Sequence, residues 1–283
     1  MTYPNPDALV STEWLAAHLS APDVRVVDAS WHMPASGRNA REEYDAGHIP
    51  GAVFFDIDEI ADTTSPLPHM LPRPEKFASR VRKLGLGNGN KVVVYDSAGL
   101  GAARVWWTFR VFGHRDVAVL DGGLTKWVAE GRALEDLPPM PRDRHFLPQV
   151  NATLVRGFEQ MKANLDTQRE QVVDARSAGR FAATAPEPWP TLHVGHMPGA
   201  LNVPFADLID DTSKTMKPAA ELKARFDAAG LDFARPVVTT CGSGITACTL
   251  ALALYLLGKT DVAVYDGSWA EWGTHPDAVA VTG

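Results

Sequence analysis

Residues 47–52 read Gly-His-Ile-Pro-Gly-Ala, and residues 195–200, 148 positions later, read Gly-His-Met-Pro-Gly-Ala. Three further pairs repeat in the same order, at offsets of 145 or 146 residues: Val-Val-Asp-Ala at 26–29 and 172–175, Asp-Gly-Gly at 121–123 with Asp-Gly-Ser at 266–268, and Trp127 with Trp272. Self-similarity at a nearly constant offset marks a duplicated domain. A chain of 283 residues is long enough for two domains.

Each copy alternates predicted strands and helices. In the first copy, residues 24–28 and 91–95 are β-branched runs that end in polar turns, which is typical of strands buried in a parallel sheet. Between them, Pro74 begins a segment with helical apolar spacing that Gly85 closes. The second copy repeats this arrangement. We therefore predict an α/β fold with two tandem domains, each a mainly parallel central sheet flanked by helices.

A proline-rich, charged segment separates the copies. It contains Pro138, Pro139, Pro141 and Pro148, which predict an extended linker. We place the N-terminal domain at residues 8–136, the linker at 137–150 and the C-terminal domain at 151–283. The pair Trp106-Trp107 is expected to pack in the core of the N-terminal domain.

Composition narrows the class of protein. The net charge is −7 and no basic run is present, which argues against a nucleic-acid partner. The longest apolar stretch, residues 247–257, is too short to span a bilayer, so no membrane association is expected. The first ten residues lack the features of a signal peptide, and we expect a cytoplasmic protein. The two cysteines lie seven positions apart beside one predicted helix, so a disulfide between them is not expected.

The copies differ most informatively at one aligned point. In the second copy a predicted strand ends at Cys241, and a glycine-containing loop and an apolar helix follow; the first copy has Asp96 at that position. Backbone N–H groups that converge before a helix stabilise an anion. Cys241 is therefore expected to react as a thiolate nucleophile.

Other candidate residues have structural interpretations. Cys248 lies among alanines and leucines, as a small buried apolar side chain does. Both copies keep the histidine of the Gly-His-x-Pro-Gly segment, as His48 and His196, whereas only one copy has the cysteine at the loop. We therefore expect a structural role for the two histidines. No further ligands stand at zinc-site spacing, so we expect neither a metal site nor an organic cofactor.

The repeated Gly-His-x-Pro-Gly-Ala segments and the loop Cys-Gly-Ser-Gly-Ile-Thr-Ala at 241–247 closely resemble the tandem-rhodanese family. The resemblance covers essentially the whole chain. It implies a catalytic C-terminal domain and an N-terminal domain that has lost its cysteine. Within the family the loop is similar to that of 3-mercaptopyruvate sulfurtransferases, because rhodaneses that use thiosulfate carry Arg and Lys after the cysteine.

The resemblance also implies roles for individual residues. A proton relay is expected from Ser243 with His69 and Asp58 of the N-terminal half, so the active site would form between the domains. Substrate binding is expected from Arg180 and from four loop residues: Gly242, Gly244, Ile245 and Thr246. Arg176 is expected to support structure. A second substrate-binding arginine of some relatives is replaced here by Trp189, which places the donor preference in question.

The expected reaction moves sulfur from 3-mercaptopyruvate to a Cys241 persulfide, with release of pyruvate, and then to cyanide or to a thiol such as thioredoxin or a small dithiol. Thiosulfate is the alternative donor. A cysteine phosphatase would need an arginine that grips phosphate, where this chain has Ala247. A non-enzymatic module for sulfur relay or binding is the remaining alternative, although the chain keeps Cys241 and its loop.

Overall fold

The computed structural model describes residues 2–283 and contains two five-stranded parallel sheets flanked by helices. The predicted α/β fold with two repeated domains is confirmed. In the first sheet the strand order is β1-β5-β4-β2-β3. The elements of this half are β1 (Leu9–Val10), α1 (Thr12–His18), β2 (Val24–Asp28), α2 (Ala40–Ala46), β3 (Val53–Phe54), α3 (Pro74–Lys83), β4 (Lys91–Tyr95), α4 (Ala102–Val111), β5 (Val117–Leu120) and α5 (Gly123–Ala129).

The second half repeats this topology, with the strand order β6-β10-β9-β7-β8. Every strand pair in both sheets is parallel. The elements are β6 (Val155–Arg156), α6 (Phe158–Thr167), β7 (Gln171–Asp174), α7 (Ala178–Phe181), β8 (Leu201–Asn202), α8 (Ala219–Ala228), β9 (Val237–Thr240), α9 (Ala247–Leu256), β10 (Val262–Tyr265) and α10 (Ser268–Trp272).

The central strands are apolar because helices cover both faces of each sheet. All four residues of β9 and the last four of β4 are buried. The strands therefore read as continuous β-branched runs rather than as an alternating pattern. Among residues 2–283, no helix is both long enough and apolar enough to cross a lipid bilayer.

The segment 137–150 contains neither helix nor strand, and it packs along the N-terminal half. Gln149 donates its N–H to the Phe112 carbonyl at 2.9 Å. The Phe146 side chain is buried, with ring centroids 5.5 Å from Phe77 and 6.2 Å from Phe109. The segment thus contributes to the N-terminal core instead of spanning solvent.

The helices α4 and α9 pack against each other between the two sheets. Each is buried almost all round, as expected for a helix that contacts protein on every side. Trp106 meets Tyr255 with ring centroids 5.4 Å apart, and the Trp107 indole N–H donates to the Leu154 carbonyl at 3.1 Å. The pair is buried as expected, but the core that it joins is shared, because both tryptophans also contact the C-terminal half.

Candidate active site

Cys241 lies where β9 ends and the loop to α9 begins. This position is at the carboxyl edge of a parallel sheet, where ligand sites form in α/β proteins. Gly244 gives the loop its shape, because it has φ of 80° and a Cβ there would stand 2.6 Å from the Asp266 carbonyl oxygen. The Cys241 residue is only 2% exposed.

The loop presents a row of free backbone donors. Within residues 2–283, the N–H groups of residues 242–247 have no protein acceptor. Partnerless donors before a helix provide a binding site for a negatively charged atom. The loop therefore has the free donors that the predicted cradle requires.

The aligned loop of the first half contains an anionic group in the same place. The Asp96 carboxylate accepts hydrogen bonds from the N–H groups of Ala98 at 3.0 Å, of Ala102 at 2.7 Å and of Gly99. Burial raises the pKa of Asp96, although these N–H groups act in the opposite direction. The first half thus shows how such a loop binds a carboxylate, and the equivalent N–H groups of the second half, on the loop that follows Cys241, have no acceptor among residues 2–283.

Ser268 fixes the backbone of Cys241 and was missed from the sequence. Its Oγ accepts the Cys241 N–H at 3.1 Å and donates to the Tyr265 carbonyl at 2.9 Å. Ser268 is fully buried and has φ of 49°, a left-handed conformation that Gly123 adopts in the first half. The signal was available in the repeat, because a serine replaces glycine where the backbone favours glycine.

His69 and Asp58 lie together, as predicted. The His69 Nδ1 is 2.5 Å from Asp58 Oδ1, and the Trp31 indole N–H donates to Asp58 Oδ2 at 3.0 Å. Desolvation raises the pKa of Asp58, but the hydrogen bond and charge of His69, with the Trp31 bond, outweigh it and lower the pKa. Ser243 is buried but makes no hydrogen bond to His69 within the described chain. Two of the three expected relay groups are therefore in contact.

A buried arginine that the sequence did not reveal joins the two halves at this site. Arg104 of α4 donates to Asp266 Oδ1 at 2.7 Å, to the Gly244 carbonyl at 3.1 Å and to the His69 carbonyl. Asp266 Oδ2 also accepts the Leu71 N–H at 2.8 Å. The cysteine loop and the histidine loop are thus fixed to one another through a single ion pair.

Arg180 lies against the loop, next to Trp189. The Arg180 Nη2 atom is 2.8 Å, and the nearest Trp189 ring carbon 3.4 Å, from the point where a Cβ on Gly242 would stand. Arg180 pairs with Glu187 at 2.5 Å. The indole N–H of Trp189 is buried and has no partner in the part of the chain that the structure describes. These two side chains cover the loop beside Cys241.

Arg176 has a different environment. Its side chain is fully buried, it bonds Asp174 and the Gly195 carbonyl, and its guanidinium lies over the Trp269 ring. These contacts hold the fold of the C-terminal half, and Arg176 also pairs with Glu187, the partner of Arg180.

Both domains are similar to known proteins. A model of the rhodanese-like domain matches residues 11–130 and again residues 158–275. The chain belongs to the rhodanese family. Human 3-mercaptopyruvate sulfurtransferase is 45% identical over 272 residues, covering 94% of this chain and 91% of the human protein. Thiosulfate sulfurtransferase of Rattus norvegicus is 47% identical over 273 residues, with coverage of 94% and 91%.

Solved structures agree with the fold of this rhodanese. The crystal structure of SseA from Escherichia coli, described with the 3-mercaptopyruvate sulfotransferases, superposes with a TM-score of 0.85. SseA is 40% identical, and the match covers 93% of this chain and 99% of SseA.

The remaining candidates lie outside the loop. Cys248 is buried in α9, its Sγ donates to the Gly244 carbonyl at 3.3 Å, and burial raises the pKa of its thiol. His48 stacks on Tyr44 and His196 on Phe181, in equivalent places of the two rhodanese domains. Residues 2–283 include no group of three side chains able to hold a metal ion.

Proposed function

We propose that this rhodanese is a sulfurtransferase that takes sulfur from 3-mercaptopyruvate, carries it as a persulfide on Cys241 and releases pyruvate. The observation that carries the proposal is the set of free backbone N–H groups at residues 242–247, because three of their counterparts in the first half, those of Ala98, Gly99 and Ala102, bind the Asp96 carboxylate. A thiolate or persulfide anion on Cys241 would take the place of that carboxylate.

In the first half-reaction the Cys241 thiolate attacks the sulfur of 3-mercaptopyruvate. A sulfur–sulfur bond forms and the carbon–sulfur bond breaks, so its electron pair remains on carbon as the enolate of pyruvate. That enolate needs one proton to leave as pyruvate. The loop N–H groups stabilise the persulfide that remains.

We propose that Ser243, His69 and Asp58 supply that proton. Asp58 holds the Nδ1 side of His69 at 2.5 Å, which leaves Nε2 for proton transfer. Because Ser243 makes no hydrogen bond to His69 here, the substrate is expected to lie between them and complete the relay. Catalytic hydrogen bonds of free enzymes often form only in the substrate complex.

The substrate carboxylate is assigned to Arg180 and Trp189. Arg180 brings a guanidinium that suits a carboxylate, and Trp189 brings a buried indole N–H without a partner. An unpaired buried donor is costly until an acceptor reaches it. Trp189 would therefore replace the missing second arginine as a neutral donor. Gly242, which lies under both side chains, and Gly244, Ile245 and Thr246 complete the substrate-binding set.

We infer the sulfur donor from the chemistry of the loop. Relatives named for 3-mercaptopyruvate and for thiosulfate are 45% and 47% identical, so similarity does not separate these donors. Thiosulfate is a dianion, whereas 3-mercaptopyruvate carries one carboxylate. Gly242, Ser243 and Gly244 add no cation to the loop. One charged arginine and one neutral donor suit the singly charged substrate better. Thiosulfate remains the second candidate.

In the second half-reaction an acceptor thiolate attacks the outer sulfur of the persulfide, and the Cys241 thiolate is regenerated as the sulfur–sulfur bond breaks. Thioredoxin or a small dithiol is the proposed acceptor, and cyanide would accept the same sulfur. The reaction balances without a metal or an organic cofactor. We retain the cytoplasm as the proposed compartment, since the chemistry requires reduced cysteines, and both are free here.

Thiocyanate formation with cyanide as acceptor, measured at equal concentrations of the two donors, tests the proposal, and pyruvate release checks the reaction with 3-mercaptopyruvate. The expected result is faster turnover with 3-mercaptopyruvate than with thiosulfate, loss of both activities in Cys241→Ser, and near-normal activity in the matched control Cys248→Ser. Faster turnover with thiosulfate, measured as thiocyanate formation, would reverse the donor assignment. A Cys241→Ser variant that still transfers sulfur would exclude the persulfide, and the absence of turnover with either donor would favour a relay or binding module.

A further inference from the structure

The active site has a pseudosymmetric counterpart on the other side of the domain interface. At the active site, Leu71 donates its N–H to Asp266; at the counterpart, Met216 donates its N–H to Asp121 Oδ1 at 2.7 Å. The two donor residues are 145 positions apart in the sequence, and so are the two acceptor residues. The left-handed His69, with φ of 58°, likewise corresponds to Lys214, with φ of 59°. The two sides therefore share one backbone arrangement.

One of the side-chain differences between the two sides opens space at the second. The residue equivalent to Arg104 is Thr249, 145 positions later on α9. Where Arg104 fills the interface and contacts Gly244, the shorter Thr249 leaves a cavity of about 240 Å³. A Cβ on Gly99, the counterpart of Gly244, would meet nothing within 4 Å. The missing guanidinium thus accounts for open space at this position.

The cavity is lined by apolar side chains from both halves, including Ala103, Val119 and Leu252. Thr249 also lines it and is 3% exposed, and its hydroxyl has no hydrogen-bond partner among residues 2–283. A buried hydroxyl without a partner costs free energy. A ligand that offers one polar group on an apolar body would satisfy the hydroxyl and fill the space.

The charges around the cavity favour a cation. Asp96 already occupies the backbone N–H groups of its loop, so no anion cradle is left there. Asp121 Oδ1 accepts the Met216 N–H, while Oδ2 has no partner among the described residues. At the rim, the opposite charges of Asp211 and Lys214 balance, and Lys126, the cation that acts on Asp121, is already paired with Glu130. The carboxylate of Asp121 is thus available to a positively charged group.

We propose that this cavity binds a small primary amine with an apolar body, whose ammonium group contacts Asp121 and Thr249. An apolar cavity of about 150 Å³ holds benzene, so the present volume accepts a ligand of about ten non-hydrogen atoms. The site is distinct from Cys241 and lies between the domains, so the ligand contacts both halves at once. The proposal does not depend on the sulfur donor or on catalysis.

Calorimetric titration of the full chain with benzylamine tests this site, with benzyl alcohol and benzoate as ligands of similar shape and different charge. We expect benzylamine to bind with a dissociation constant below about 1 mM and about tenfold more tightly than benzyl alcohol. Benzoate should not bind at this site. Thr249→Val, which keeps the shape and removes the hydroxyl, should weaken benzylamine binding about threefold to tenfold.

Thr249→Arg provides the sharpest test, because it copies the arrangement of Arg104. Its guanidinium should reach Asp121 and the Gly99 carbonyl, abolish benzylamine binding and raise the unfolding temperature. Equal affinities for benzylamine and benzoate, no detectable binding of benzylamine, or unchanged binding in both Thr249 variants would each overturn the proposal. Cys241→Ser should bind benzylamine as the parent does, and a loss there would place the amine at the active site instead.

Discussion

Arg104→Met should destabilise the protein more than most single substitutions do. The Arg104 and Asp266 side chains are 3% and 5% exposed, so solvent screens their ion pair little. Removal of one partner from a buried ion pair costs about 3–5 kcal/mol, because the other charge stays buried and unpaired. The carbonyls of Gly244 and His69 would also lose a donor. We therefore expect a loss near the upper end, about 4–5 kcal/mol.

Equilibrium unfolding in urea, followed by tryptophan fluorescence, measures this loss. Lys223→Met is the matched control, because Lys223 pairs with Asp227 on an exposed helix face and its loss should change stability by at most about 0.5 kcal/mol. The double variant Arg104→Met/Asp266→Asn should recover about 2 kcal/mol of this stability. Neither position then carries a buried charge, and Asn can still accept the Leu71 N–H. A single-variant loss below about 1 kcal/mol, or a double variant no more stable than the single, would refute the reasoning.

Three further outcomes are expected. Ser268→Ala should slow persulfide formation and destabilise the protein by about 1–3 kcal/mol, because the Cys241 N–H loses its acceptor. Ser268→Gly should cost less stability, because glycine tolerates the left-handed backbone angle. Equal losses of stability in the two variants would contradict this. By NMR, the pKa of Asp58 should lie below its usual value and should return toward that value in His69→Gln. The ionised Asp58 stabilises the fold above the unfolded pKa of about 3.9, and this stability is lost as the pH falls through the folded pKa. Cys248 should resist iodoacetamide in the native protein at pH 8 and react only after unfolding, because burial raises the pKa of its thiol.

The features that could be predicted from the sequence are those that depend on local patterns, on the repeat or on a known motif. The repeat and the β-branched runs placed β2 and β4 at their observed bounds, and the strand, loop and helix around Cys241 follow from residue order alone. Motif similarity also brought His69 and Asp58 together, although 11 residues separate them. These features rest on neighbouring residues, on the duplication or on the family resemblance.

Contacts between distant parts of the chain were missed. Arg104 and Asp266 are 162 positions apart, and neither periodicity nor a motif links them. The contacts of Trp106 and Trp107 with the second half were missed because α4 is buried almost all round, so its pattern does not show which face meets that half. Prolines predicted an extended segment at 137–150, but only the structure shows that Phe146 packs in the N-terminal core.

The central claim is that Cys241 carries the transferred sulfur. Mass spectrometry of the intact protein after brief exposure to 3-mercaptopyruvate, followed by peptide mapping, tests it most directly. We predict the mass of one added sulfur atom, on the peptide that contains Cys241, with less labelling by thiosulfate at the same concentration. No added sulfur, or sulfur that persists in Cys241→Ser and maps to Cys248, would contradict the account.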